Sequence, residues 1–149
     1  MISYGWEHYS EALCQEMLPL LRANWRESSS YEEGIEADPD FERYRKLDAA
    51  GMCLCITARE EGRLVGYVVY VVTHSTHHKT IMCGIGDAAY TDPQHRGVGN
   101  QLLKIAEKHL KVAGVTRIGW TVDPRSRMHG LLLEDGYVPD EVIMEKRLT

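Results

Sequence analysis

The sequence predicts an α/β fold of the mixed (α+β) kind, a central β-sheet with helices packed on both faces. Two stretches carry that expectation. LVGYVVYVV at 64–72 is β-branched, aromatic and almost wholly apolar, as suits a central strand buried on both sides. CGIGDAAYTDPQHRGVGNQLLKIAEKHLKVA at 83–113 runs from an apolar strand through a glycine turn into a long amphipathic helix. Helical and strand patterns alternate around these two.

In chain order, 7–26 reads as a first helix with Leu13, Met17, Leu18, Leu21 and Trp25 on one face and Pro19 perturbing it. ESSSYEEGIEADPD at 27–40 is a polar loop. A second helix starts at Pro39, carries Phe41, Tyr44 and Leu47, and closes at Gly51. A strand at 52–58 turns through Glu60, Glu61 and Gly62 into the central strand. The HSTHHK loop at 74–79 precedes the strand that begins at Thr80.

After the glycine turn, Val98, Leu102, Ile105, Ala106, Leu110 and Ala113 recur at helical spacing, with Lys104, Glu107, Lys108 and Lys111 opposite them. Gly114 is the expected stop. A strand at 115–122 follows. Asp123 then caps a helix with Pro124 at its first position, Met128, Leu131 and Leu132 on its apolar face and Gly136 at its end. Tyr137 and the stretch 142–148 predict one or two final strands. The expected order is α-α-β-β-β-α-β-α-β.

A chain of 149 residues, 44% apolar and 26% charged, reads as one domain over 1–149. A net charge of −5 argues against a nucleic-acid surface and suits a cationic partner such as an amine. No apolar run reaches the length of about 20 residues that spans a bilayer. MISYGWEHYSE lacks the pattern of a signal peptide, so a cytoplasmic protein with no membrane association is expected. Cys14, Cys53, Cys55 and Cys83 have no disulfide-framework spacing and read as small buried apolar residues. His74, His77, His78 and Cys83 lack a zinc spacing, so no metal is expected.

The turn itself, Gln94-His95-Arg96-Gly97-Val98-Gly99, is the chemically informative stretch. Two glycines in three residues at a helix start let backbone N–H groups converge on one anion, most naturally a phosphate. Gly99-Asn100-Gln101 does not supply the Gly-Lys-Ser/Thr of a Walker loop, and the third glycine of a dinucleotide fingerprint is missing. The pattern present is Gln-x-x-Gly-x-Gly at Gln94, Gly97 and Gly99. It resembles the pyrophosphate-binding motif of the GNAT superfamily, the acyl-CoA-dependent N-acyltransferases. LLLEDGY at 131–137 is similar to that family's second signature, and the resemblance covers 52–148. TAREEGRLVGY, GDAAYTDPQHR and the closing MEKRL most resemble phage- and prophage-encoded members.

The resemblance implies acetyl-CoA as acyl-donor cosubstrate, without a metal. Amides from His95 to Asn100, through Arg96, Gly97, Val98 and Gly99, would cradle the pyrophosphate behind Gln94, with the Arg96 guanidinium adding charge. Arg125 and Arg127 are further phosphate candidates. Gly84 and Gly86 mark a bulge in the preceding strand, beside which Ala88, Ala89, Tyr90 and Thr91 would pair with the pantetheine arm. Direct transfer to a primary amine needs a base, and Asp87 on that strand is the first candidate, with His129, His77 and His78 in reserve.

Many members carry a tyrosine four residues before the signature glycine to protonate the leaving thiolate. Leu132 stands there in this chain, which leaves Tyr137, Tyr90 or water. The acidic run with Glu32, Glu33 and Glu36 is either a solvated loop or one wall of an amine site. The acceptor would be a small-molecule amine or a protein amine, with no nucleic acid and with a homodimer as one candidate assembly. The alternative is a non-catalytic protein of this fold that binds acyl-CoA or a partner.

Overall fold

The computed structural model describes residues 1–28 and 30–149. Ser29, in the polar loop, lies outside the described residues. Five strands form one mixed sheet in the order β1-β2-β3-β4-β5: β1 (Ile2–Trp6), β2 (Cys53–Glu60), β3 (Arg63–His74), β4 (Met82–Thr91) and β5 (Arg117–Trp120). The first four pair antiparallel, and β5 joins β4 in parallel. The helices are α1 (Glu11–Glu27), α2 (Phe41–Ala49), α3 (Val98–Val112) and α4 (Arg127–Glu134).

The α/β class and the helices on both faces follow the sequence. The element order does not. Residues 2–6, to which the sequence pattern assigns no element, are a strand, because β2 offers an edge that pairs Ile2 with Glu60 through to Trp6 with Ile56. The helix starts later, at Glu11, where the Ser10 side chain accepts the Leu13 N–H at 3.1 Å. At the other end, the strands expected from Tyr137 and 142–148 do not form. A β-prone run becomes a strand only where a neighbour takes up its backbone groups, and Val142, Ile143, Met144 and Leu148 stand exposed and unladdered. The observed order is therefore β-α-α-β-β-β-α-β-α.

Strand alternation divides the core into two. Leu54, Ile56, Ala58, Val68 and Tyr70 point to the face covered by α3 and α4, against Val98, Leu102, Leu103, Ala106, Leu110 and Leu132. Cys53, Cys55, Tyr67 and Val69 point to the other face, against Tyr9, Leu13, Cys14 and Met17, with Phe41, Tyr44 and Leu47 of α2 at its margin. β3 is buried from Leu64 to Tyr70, as its unbroken apolar run required. Its hairpin with β2 turns through Glu61 and Gly62, both at positive φ, the geometry that matches strand twist in a two-residue loop. Arg59 clasps this edge, bonding Glu7 at 2.9 and 3.0 Å and Glu16 of α1 at 2.6 and 2.9 Å. Those bonds hold the Glu7 carboxyl below its usual range, the Arg59 contact leading.

Beneath the sheet, α3 meets the end of α4 through polar groups. Tyr137 Oη donates to Glu107 Oε1 at 3.1 Å. Burial, then the neighbouring Asp135 carboxyl, push Glu107 up to about 7 from 4.5. A carboxyl that holds its proton more tightly when folded stabilises the fold at low pH, and that stability is lost as pH rises from about 4.5 through about 7. Glu107→Gln should therefore flatten the decline in Tm between about pH 5 and about pH 8. Parallel melting curves of the two proteins across that range check this.

Candidate active site

β4 decides the site's geometry. It pairs with β5 from Cys83–Arg117 to Gly86–Trp120 and no further. At that last pair a Cβ on Gly86 would overlap the Trp120 indole, so only glycine fits. Trp120 in turn packs edge-on to Tyr70, with ring centroids 5.2 Å apart. On the β3 side, Tyr70 pairs with Gly86 and Val69 with Ala88, so Asp87 is the extra residue of a β-bulge.

The bulge changes which way each side chain points. Strict alternation would put Asp87 and Ala89 on one face. Instead Ala88 and Tyr90 pack on the α1/α2 side and Ala89 on the α3/α4 side, while Asp87 accepts a hydrogen bond from the Tyr44 hydroxyl of α2. Beyond the bulge, alternate backbone N–H and C=O groups of 88–91 face the opened edge of β4.

That opening is the mouth of a cleft of about 600 Å³. Ala89, Tyr90, Thr91 and Pro93 form one wall, Gly99 and Leu102 of α3 the floor, and Val122, Arg125 and Arg127 the opposite wall. Asn24, Glu27 and Ser28 close it from the end of α1. Tyr90 Oη donates to Glu27 Oε1 at 2.9 Å. Burial, then Glu27, push the Tyr90 hydroxyl up to about 12, so it stays a proton donor at neutral pH. Tyr67 also lines the cleft, and its buried hydroxyl has no partner among the described residues.

The glycine turn sits at the floor. Gly97 is the α3 N-cap at φ +80, a left-handed conformation that suits glycine, and no side chain caps the helix. The first-turn amides of Val98, Gly99 and Asn100 therefore have no intrahelical acceptor. The amides of Gln94 and His95 are already taken by Asp92, at 3.0 and 2.9 Å. The His95 ring reaches Glu60 at 2.9 Å and so ties the turn to the β2–β3 hairpin. Arg96 is exposed, and Arg125 pairs with Asp123 at 3.1 Å.

The structure thus gathers Ala89, Tyr90, Thr91 and Gly99 in the cleft, and Asp87 stands on the bulge two residues before Ala89, outside the lining. It does not bring His129 or Tyr137 to the lining. The cap of α4 is Ser126 and not Asp123, and the Tyr137 hydroxyl is spent on Glu107. Leu132 is buried in the core. Of the acidic loop, Glu32 pairs with Arg147, Glu33 is exposed and Glu36 lines a separate small pocket beside Trp25. His77 and His78 stay in their exposed loop, and no group of three or more metal-ligating side chains meets among the described residues. Sequence reasoning missed Asn24, Glu27, Ser28 and Tyr67, because nothing local says that the end of α1 overhangs the cleft.

Residues 14–137 match the family model described as Acetyltransferase (GNAT) family. No curated protein matches the sequence. Among solved structures, the chain is similar to a ribosomal-protein-alanine N-acetyltransferase from Brucella melitensis biovar Abortus 2308, with 20% identity, full coverage of both chains and a TM-score of 0.70. A predicted acetyltransferase with acetyl-CoA from Clostridium acetobutylicum gives 17% identity and a TM-score of 0.71, covering 99% of this chain and 97% of that one. An aminoglycoside acetyltransferase from an uncultured soil metagenomic sample, in complex with sisomicin, gives 14% identity and a TM-score of 0.76, covering 99% and 95%. At these identities the likeness is one of fold.

Gly86→Ala should force the Trp120 ring aside and cost about 1–3 kcal/mol, the usual range for overpacking. The measurement is denaturant unfolding. Gly84→Ala is the control, since a Cβ there meets its neighbours at an ordinary 3.4 Å.

Proposed function

Because the chain belongs to the acetyltransferase (GNAT) family, we propose that it moves an acetyl group from acetyl-CoA to a primary amine by direct transfer, with Asp87 as base. The observation that carries the reading is the parting of β4 from β5 at Gly86 and Trp120, which leaves unpaired backbone beside a bulged carboxylate. The residues present fit a CoA-type donor. Open first-turn amides at 98–100 suit a pyrophosphate, and Arg127, with Arg96 at the turn, supplies positive charge for the phosphates. The free edge at 88–91 suits an amide-bearing pantetheine arm, which can add to β4 as a further strand would. The thioester supplies the activated acetyl group.

In the reaction, Asp87 accepts a proton from the substrate ammonium, directly or through one water. The freed nitrogen lone pair attacks the thioester carbonyl carbon, and a backbone N–H of 88–91 stabilises the oxyanion. A C–N bond forms and the C–S bond breaks. The second nitrogen proton goes to solvent, and the departing CoA sulfur takes one back. With a thiol pKa of about 8.5, that sulfur needs no dedicated acid, which accommodates a leucine at 132.

The acceptor side carries negative charge. Glu27 lines the cleft, Asp87 stands on the bulge two residues before Ala89, and the run at Glu32, Glu33 and Glu36 adds to the field. This favours a cationic small-molecule amine, the class to which the aminoglycoside-acting relative's substrate belongs. A protein amine is the other acceptor of that chemistry. Within the family, segments 57–67, 86–96 and 144–148 support a phage- or prophage-type member.

Gly99→Val would place two methyl groups where Gly99 opens on the cleft, and acetyl-CoA affinity should collapse. Unchanged affinity in titration calorimetry overturns the assignment of the turn. Asp87→Asn keeps size and removes the basic carboxylate. Turnover, followed by CoA release over an amine panel, should drop roughly 10²–10⁴-fold with acetyl-CoA affinity intact.

A further inference from the structure

Asp87 is an exposed carboxylate at a strand bulge, and the hydroxyl that bonds it comes from α2. That helix has no fully buried residue, so apolar packing alone does not fix it. It is gripped at one end of its inner face by Asp48, whose Oδ2 accepts the Tyr9 N–H at 2.9 Å and whose Oδ1 lies 3.1 Å from His8 Nδ1. One turn earlier, on the same face, the Tyr44 ring stacks on the Tyr9 ring at 5.2 Å and 13°. Tyr9 is itself 5% exposed and sits in the α1/α2 core. Backbone and ring of one buried residue thus hold Asp48 and Tyr44 together, and the Tyr44 hydroxyl ends on Asp87 Oδ2.

Resting on the Asp87 reading, we propose that Tyr44 is the positioning residue of the base. Its hydroxyl occupies Oδ2 and turns Oδ1 toward the amine, and Tyr9 and Asp48 form the brace behind it. Tyr44 does not line the cleft. Burial and the Asp87 carboxylate push its phenol well above the ordinary tyrosine range, so it serves as a fixed donor and not as a second base. The bulge makes the contact: without the extra residue, the strand would present 87 and 88 to opposite faces. A misaimed base costs rate steeply, because proton transfer needs the acceptor oxygen within hydrogen-bond reach.

The test is a double-mutant cycle on the full chain, Tyr44→Phe against Asp87→Asn. Phenylalanine keeps the ring on Tyr9 and deletes only the hydroxyl. Tyr44→Phe should lower kcat about tenfold or more, with the KM for acetyl-CoA and the Tm nearly unchanged. In the Asp87→Asn background the same substitution should change kcat less than about twofold, since Tyr44 acts only through the carboxylate. Asp48→Asn serves as second variant, weakening the brace and lowering kcat with the Tyr44 hydroxyl still present. Full turnover in Tyr44→Phe, with Asp87→Asn inactive, overturns the positioning role and leaves the base standing. Equal losses for Tyr44→Phe in both backgrounds also overturn it, because the hydroxyl then acts independently of Asp87. Full turnover in Asp87→Asn removes the base reading and this inference with it.

Discussion

The structure turns on one crowded contact. Gly86 is the last residue of β4 to pair with β5, and the Trp120 indole occupies the space its side chain would need. Held from below by Tyr70, the indole marks where the two strands stop pairing. The next residue, Asp87, is the bulge, which rotates the rest of β4 and exposes backbone groups that a continuous sheet would have consumed. Cleft, free edge and carboxylate all follow from those two adjacent residues. A regular β4 would have none of them.

The two faces of the sheet then divide the chemistry. On one side, α3 is anchored by Val98, Leu102, Leu103, Ala106 and Leu110, a firm footing for a helix whose N-terminus no side chain caps. On the other, α1 and α2 bring carboxylates and phenols, through Glu27 with Tyr90 and Asp87 with Tyr44. The contrast in anchoring matters. α3 is set by apolar burial, whereas α2 is set by directional contacts to Tyr9. Elements held by few apolar contacts open at lower free energy than core helices.

A second polar seam lies under the same bulge. Tyr70, Trp120 and Asp135 each bury a polar atom without a protein partner among the described residues, close to the bond between Tyr137 and Glu107. Burial there, with the Asp135 carboxyl, raises Glu107 to about 7, a cost to stability at alkaline pH that the apolar core of α3 has to offset. In return the chain after α4 is tied directly to α3 across the seam.

Periodicity and glycine chemistry made much of this legible in the sequence. The doubly buried β3, the amphipathic α3 and the positive-φ turn at Gly97 follow from short-range rules, because side-chain spacing and backbone sterics act within a few residues. The strand β1 was not legible, since five residues interrupted by Gly5 carry little signal until β2 provides an edge. The expected strands at 137 and 142–148 failed for the converse reason, a pattern without a partner. For the candidate site, the sequence alone singled out the glycine turn and Asp87 as candidates. Which face Asp87 points to, the overhang of Glu27 and the reach of Tyr44 were decided by tertiary structure. A one-residue bulge reverses a strand's facing, and contacts between residues 43 and 63 positions apart are set by packing that no local pattern encodes.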